Sequence, residues 1–209
     1  EIKKGDIFFA IKGKKNDGNN FIKESLDKGA SFAVVNKIDR STKVSKQLLV
    51  KDSLKSLTNI SKKVRLNSLA KVIAITGSCG KTSLKELLGN IFGKISKVSY
   101  SPKSYNNKYG VPLSIFNINK HDDFNIFEIG MDKKGEIDLL SKIIKPDVGV
   151  ITNISYAHAK NFKNLNQIAD AKSEIINNIN SNGSIVLNAD DIFFKKHKKI
   201  ALKKNLKIY

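Results

Sequence analysis

The sequence predicts an α/β protein in which a small α/β unit precedes a larger one, the latter built on a mostly parallel sheet covered by helices on both faces. Three observations point there. Short apolar runs of strand length alternate with stretches whose apolar residues recur at helical spacing. A Gly-rich turn joins one such strand directly to an amphipathic helix. The 209 residues are 40% hydrophobic, contain only 3 prolines and show no repeat or low-complexity stretch, so the chain is long and apolar enough to fold around a core.

Taken in order, Ile7–Ile11 reads as a short strand, and Phe21, Ile22 and Leu26 fall at helical spacing after it. Ser31–Val35 and Leu48–Val50 are further strands. Leu54, Leu57, Ile60 and Val64 then form one stripe of a helix. These elements make up a first domain, residues 1–68, and residues 69–209 form the second. There Val72–Thr76 is a strand, followed by a helix whose Leu84, Leu87, Leu88, Ile91 and Phe92 share a face. Strands at Asn125–Ile129, Val148–Thr152 and Ile185–Leu187 alternate with helices at Glu136–Ile144 and Leu165–Ile179. Leu206–Tyr209 begins another strand, so the chain reads as part of a longer protein.

The formal net charge of +19 raises the possibility of a polyanionic partner. Of the 38 basic residues, however, only Arg40 and Arg65 are arginine, and the lysines are scattered among Asn and Ile in the manner of an AT-rich coding bias. Readers of base edges rely on Arg, and single-strand binders need interleaved aromatics. No nucleic-acid partner is expected. No apolar run reaches the roughly 18 residues of a membrane span, and the amino terminus lacks a signal peptide's apolar segment, so a cytoplasmic protein without stable membrane insertion is expected. Cys79, the single cysteine, forms no internal disulfide and no metal cluster.

Ile75-Thr76-Gly77-Ser78-Cys79-Gly80-Lys81-Thr82 connects the strand at Val72–Thr76 to the helix that follows, which is the setting a phosphate-binding loop requires. Its glycines let backbone N–H groups approach phosphate oxygens, and the helix amino terminus adds partial positive charge. Lys81 would reach the β- and γ-phosphates, and the Thr82 hydroxyl would bind Mg²⁺. The common pattern has a further glycine where Ile75 stands, so only the shorter G-x-x-G-K-T matches.

In open α/β sheets, ligands bind beyond the carboxyl ends of the strands. Three predicted strands lead there, to the loop, to Glu128 and to Asn153 with His158 shortly after. A carboxylate opposite a phosphate loop is a natural Mg²⁺ ligand. Lys172 lies in register with Ile168, Ile175 and Ile179, along the apolar stripe of its helix. A lysine buried there tends to lose its charge and could form a carbamate with carbon dioxide; the alternative is a stem that snorkels past the stripe. Asn106 and Asn107 occupy a polar turn, Ser104–Gly110, and suit either a polar substrate or turn formation. Asp122–Asp123 reads as a solvated loop and Asp190–Asp191 as a helix-start cap.

Together these motifs resemble the Mur ligase family. The matching pieces are Ile75–Glu86, Tyr105–Leu113, Phe127–Met131 with Gly135–Ile137, Pro146–Asp147 leading to Ile151–Ile154, Ala157–His158, Ala171–Ile175 and Asn188–Asp191. Upstream, Lys4–Ala10 and Asp17–Phe21 are similar to the family's amino-terminal substrate domain. The resemblance implies a P-loop-type central ATPase domain and ATP-dependent joining of D-alanyl-D-alanine to UDP-N-acetylmuramoyl-tripeptide through an acyl phosphate. It implies that Thr76, Gly77, Ser78, Cys79, Gly80, Lys81, Thr82 and Ser83, with Asn153, contact ATP. Thr82 and Glu128 would hold a first Mg²⁺, and His158 with carbamylated Lys172 a second. Lys81, His158 and Lys172 would be catalytic, while Asp17, Asn106 and Asn107 would bind the UDP-peptide. A monomer is expected. The family's segment before Lys4, the end of its ATPase domain and its third domain have no counterpart here, so these residues alone are expected not to complete ligation.

The sister ligase that adds the third amino acid shares the loop, but the Asn106-Asn107 turn and Glu128-Ile-Gly-Met131 favour the dipeptide-adding branch. A folyl-polyglutamate ligase would share the loop and the lysine without the Asn-Asn turn. A basic nucleotide-regulated binding module is the alternative from another class.

Overall fold

Two parallel sheets organise the chain. The computed structural model describes residues 2–13, 15–156 and 161–209. The chain divides into compact units, Glu1–Ile60 and Ser61–Tyr209, and the division falls within one helix.

In the first unit, strands β1 (Ile7–Phe9), β2 (Phe32–Val35) and β3 (Gln47–Leu49) pair in parallel in that order. Helix α1 (Ile22–Asp27) lies between β1 and β2 in the chain and, through Ile22, joins Ala10, Ala33 and Val35 in a small core. The segment before it closes tightly on itself. Gly18 N donates to Ile11 O at 3.0 Å, and a Cβ on Gly18 would lie 2.5 Å from Ile11 N, so only glycine fits.

Helix α2 (Ser53–Leu66) spans the division. Its buried residues are Ser53, Leu57, Ser61 and Arg65, a strict i, i+4 row, whereas Ile60, expected on the buried stripe, is 40% exposed. The expected stripe drifted off the buried face because successive steps of three fall short of a 3.6-residue turn. Arg65 caps carbonyls at the helix end, donating Nε to Ile144 O at 2.8 Å and Nη1 to Ser68 O at 3.0 Å.

The second unit carries six parallel strands in the order β5 (Val98–Tyr100), β6 (Phe124–Glu128), β4 (Lys71–Thr76), β7 (Val148–Ile151), β8 (Ser184–Leu187) and β9 (Lys207–Ile208). Residues alternate between its two faces. Val72, Ala74 and Phe127 join the large core beneath α4 (Gly110–Phe116), α5 (Glu136–Ile144), α6 (Leu165–Asn177) and α7 (Phe194–Lys203). Ile73, Ile75, Ile126 and Val150 face the other way and pack with Leu84, Leu88 and Phe92 of α3 (Lys81–Phe92). The expected mostly parallel sheet with helices on both faces is thus observed. Register pairs Ile75 with Glu128 and Thr76 with Ile151, which brings the carboxyl ends of β4, β6 and β7 together.

Asp191 is not the helix cap the sequence led us to expect. Helix α7 starts after Phe193 with no side-chain cap, and Asp191 accepts from Ile154 N at 2.7 Å and Phe193 N at 2.8 Å, bracing the chain beyond β7. Asp122 and Asp123 lie in a loop and accept backbone N–H bonds from Asn119 and Lys97 respectively. Among the described residues, no helix is long and apolar enough to cross a membrane.

His197 on α7 is 2% exposed, with Nε2 3.2 Å from Ala169 O. Burial pushes its imidazole below the ordinary 6.5. The unfolded chain therefore binds the proton more readily, and the stability contributed by neutral His197 is present above pH 6.5 and lost as pH falls through the folded-state value. Thermal unfolding measured on both sides of that pH should show the midpoint of the wild type falling on acidification more than that of His197→Gln, which keeps a polar side chain but cannot titrate.

Candidate active site

The loop between β4 and α3 owes its shape to two glycines and to the chain that leaves β7. Gly77 has φ +150°, and a Cβ there would stand 1.8 Å from Thr152 Oγ1. Gly80 has φ +79° and forms the left-handed N-cap of α3. The post-β7 segment laces the loop down. Ser78 N donates to Asn153 O at 2.9 Å, Cys79 N to Asn153 Oδ1 at 3.0 Å, and Thr152 Oγ1 to Cys79 O at 2.6 Å. Ser155 N donates to Ser78 Oγ at 2.8 Å, and that hydroxyl lies 3.0 Å from Ser155 O. The first-turn N–H groups of α3, at Lys81, Thr82 and Ser83, have no carbonyl one turn earlier and point out of the helix end. Such an end attracts anions.

Glu128 ends β6 and is 1% exposed. Its position in the sheet alternation, two residues after Ile126, puts it on the α3 side. Thr82 Oγ1 donates to Glu128 Oε2 at 2.7 Å, and Asn106 Nδ2 donates to Oε1 at 2.7 Å. Asn106 is itself fixed through its carbonyl, which accepts from Gly130 N at 2.7 Å. The structure thus joins three residues that lie far apart in sequence. A threonine hydroxyl and a carboxylate side by side at a helix amino terminus are oxygen donors of the kind Mg²⁺ takes. Among the described residues, no group of three His, Cys, Asp or Glu could hold a metal ion, so any ion at this pair would draw most of its ligands from elsewhere.

Two lysines meet on one carbonyl. Lys81 Nζ donates to Gly77 O at 2.8 Å and Ser78 O at 3.3 Å, and Lys172 Nζ donates to Gly77 O at 2.9 Å. Lys172 is 1% exposed, so its stem does not snorkel to water. Burial pushes its amine down from 10.5 to about 7, and the positive charge of Lys81 adds to the shift. At neutral pH a substantial fraction is the free base.

Asn107 serves the chain locally, its Oδ1 accepting from Tyr109 N and Gly110 N at 3.0 Å each. It also borders a cavity of about 410 Å³ together with Lys81, Asn106, Gly130, Asp132 and Glu136. Thr76 is buried, and its hydroxyl has no hydrogen-bond partner among the described residues. His158 lies outside the described residues. Asp17 belongs to the first unit, where Asn19 donates to its Oδ1 from N at 2.9 Å and from Nδ2 at 2.7 Å. These bonds hold the Asp17 carboxyl below its ordinary range. Asp17 borders a second cavity, of about 490 Å³, with Lys12, Asn19, Asn36, Lys37 and Lys51.

Several residues that shape the site escaped the sequence reading. Thr152, which pins the loop and excludes a side chain at Gly77, leaves no trace in local sequence. Lys85 left one: Gly89 lies one turn further along α3, where a Cβ would meet the Tyr100 ring at 2.7 Å, so this helix face is approached closely by another strand.

Residues 75–209 match the family model described as Mur ligase middle domain. The chain is 38% identical over 208 residues to the UDP-N-acetylmuramoyl-tripeptide--D-alanyl-D-alanine ligase of Rickettsia prowazekii, which covers 100% of this chain and 46% of that protein. It is similar to the crystal structure of MurF from Acinetobacter baumannii, with a TM-score of 0.91 and 33% identity over 100% of this chain and 45% of that one. The MurF ligase of Thermotoga maritima in complex with ADP gives a TM-score of 0.87 and 32% identity over 100% and 47%. The chain spans somewhat under half the length of these relatives. With more than half of its residues matched by the family model, the chain belongs to the Mur ligase family.

Proposed function

We propose that the protein joins D-alanyl-D-alanine to UDP-N-acetylmuramoyl-tripeptide at the expense of ATP, giving UDP-N-acetylmuramoyl-pentapeptide for peptidoglycan synthesis. The γ-phosphoryl passes to the terminal carboxylate of the tripeptide, the amine of the dipeptide attacks the resulting acyl phosphate, and ADP and phosphate leave. The observation that carries this reading is the convergence of Thr82, Glu128 and Asn106 beside the phosphate loop. Such a convergence would serve a nucleotide, a metal ion and a polar substrate at one sheet edge. The likeness to ligases of this name supports the choice of substrates.

Phosphoryl transfer calls for positioning and charge neutralisation more than for covalent chemistry. The first-turn N–H groups at the α3 amino terminus would bind the phosphates, and Lys81 would exchange its bonds to loop carbonyls for phosphate oxygens. Thr82 and Glu128 would hold one Mg²⁺, while His158 and carbamylated Lys172 would hold a second; these ions supply charge neutralisation at the transferring group. Asn153 fixes the loop and would lie near the nucleotide. Asn106 and Asn107 would face the peptide end of the substrate across the 410 Å³ cavity. Residues 1–68 would form the UDP-substrate domain, with Asp17 at the 490 Å³ cavity, and residues 69–209 part of the ATPase domain. The protein would work in the cytoplasm as a monomer, without a nucleic-acid partner or stable membrane insertion.

The product of the complete open reading frame, supplied with MgATP and UDP-N-acetylmuramoyl-tripeptide, should consume D-alanyl-D-alanine and ignore a single diamino acid. Consumption of the diamino acid alone would transfer the assignment to the sister ligase. Lys81→Ala should lower ADP affinity about tenfold or more in calorimetry, the loss of a charge-assisted phosphate contact. Equal affinity would remove Lys81 from the nucleotide site. The carbamate has its own signature: in ¹³C-bicarbonate the wild type should give a carbamate resonance above pH 7 that fades as the pH falls below it and the amine is protonated, and Lys172→Arg should give none.

A further inference from the structure

Helix α3 buries an ammonium group that phosphate binding leaves unused. Lys85 has 0% of its surface exposed. Its Nζ donates to Ser101 O at 2.6 Å and to Lys103 O, and Glu86 Oε1 stands 2.9 Å away. These three acceptors match the three protons of an ammonium, so the buried charge is fully satisfied. None of them belongs to the phosphate loop. Two are carbonyls of the segment that leaves β5.

That segment delivers Asn106. Lys103 takes φ +48°, in the left-handed region, as the chain bends into the turn that carries Asn106 and Asn107. Asn106 then donates to Glu128 Oε1, and the other Glu128 oxygen accepts from Thr82. Thr82 and Lys85 are three residues apart on α3 and therefore lie on neighbouring turns of one face. A closed ring results: α3 to Lys85, through the carbonyls to Asn106, to Glu128, to Thr82 and back to α3. Every link except the covalent chain is a hydrogen bond between buried or half-buried groups.

We infer that Lys85 is a positioning residue that ties the Asn106 turn to the phosphate-binding helix, so that nucleotide binding at the α3 amino terminus also fixes Asn106 and Glu128. The inference rests on the proposed function only for the substrate that Asn106 would meet. The coupling itself needs a nucleotide and nothing more.

Hydrogen exchange on the product of the complete open reading frame, with and without MgADP, tests it. In the wild type, the amides of residues 101–107 should exchange about tenfold more slowly with MgADP bound, in step with those of the loop and α3. Lys85→Met keeps an unbranched stem without the ammonium. It should retain nucleotide binding and loop protection while losing the response of residues 101–107. Should that variant fail to fold, Lys85→Gln, which keeps two N–H donors in a shorter uncharged side chain, takes its place with the same expected loss. In ligation, Lys85→Met and Asn106→Ala should be non-additive in kcat/KM, because both act through one chain of contacts. A wild type without a nucleotide response in residues 101–107, a response that survives loss of the ammonium, or additive effects would each overturn the inference. A wild type that shows the response yet ligates neither D-alanyl-D-alanine nor a diamino acid would refute the proposed function and leave the coupling standing.

Discussion

A carboxylate withdrawn from water raises the energy of a fold unless hydrogen-bond donors surround it, and Glu128 at the end of β6 is such a group. Its two oxygens are met by side chains from separate parts of the chain, Thr82 on α3 and Asn106 in the turn after β5. The helix and the turn can approach each other this closely because the carboxylate stands between them. It would be a poor strand end for packing alone, since an apolar residue on that face would fill the space without needing partners. Its arrangement suits a centre where a cation and phosphate oxygens take over some of those contacts.

The loop between β4 and α3 is held by the chain's own contacts. Backbone and side-chain bonds from Thr152, Asn153 and Ser155 hold Ser78 and Cys79, so little ordering remains to be done on binding. Fixing the loop also fixes the first-turn N–H groups of α3, and preorganised donors stabilise developing charge without reorganising at the moment of reaction. The crowding of Lys81 and Lys172 on the Gly77 carbonyl has the opposite character. Burial lowers the Lys172 amine most, and the positive charge of Lys81 on the same carbonyl adds to the shift.

The central strands were legible in the sequence because β4, β6 and β7 are covered on both faces and read as nearly continuous apolar runs. Strand β5 was not: it has three residues, a serine at its centre and a place at the sheet edge. Helix α4 hid behind Gly110 and Pro112 in its first turn, where proline is tolerated but reads as a breaker. Helix α7 hid behind lysines, since its buried positions are His197 and Ala201 and not large aliphatics. The site divides in the same way. The loop, Glu128 and Lys172 announce themselves through glycine spacing, strand end and helix register. Lys85 stands one turn before Gly89, but its partners follow β5, and with that strand unrecognised nothing showed what a buried ammonium would hold. Thr152 acts through a close approach across the sheet edge, which no local pattern records.

Parallel register gives the sheet a further property. Glu128 reaches the α3 side because it stands an even number of residues from Ile126 and opposite Ile75. A single residue inserted into β6 ahead of it would turn the carboxylate to the α5–α6 side and leave its place to Phe127 or to the inserted residue, while leaving the hydrophobic count of the strand almost unchanged. The sheet therefore acts as a ruler for the chemistry at its edge. A lineage could alter many core side chains by size and keep its reactive groups aligned, but a change in strand length by one residue would erase the site in a chain that still folds.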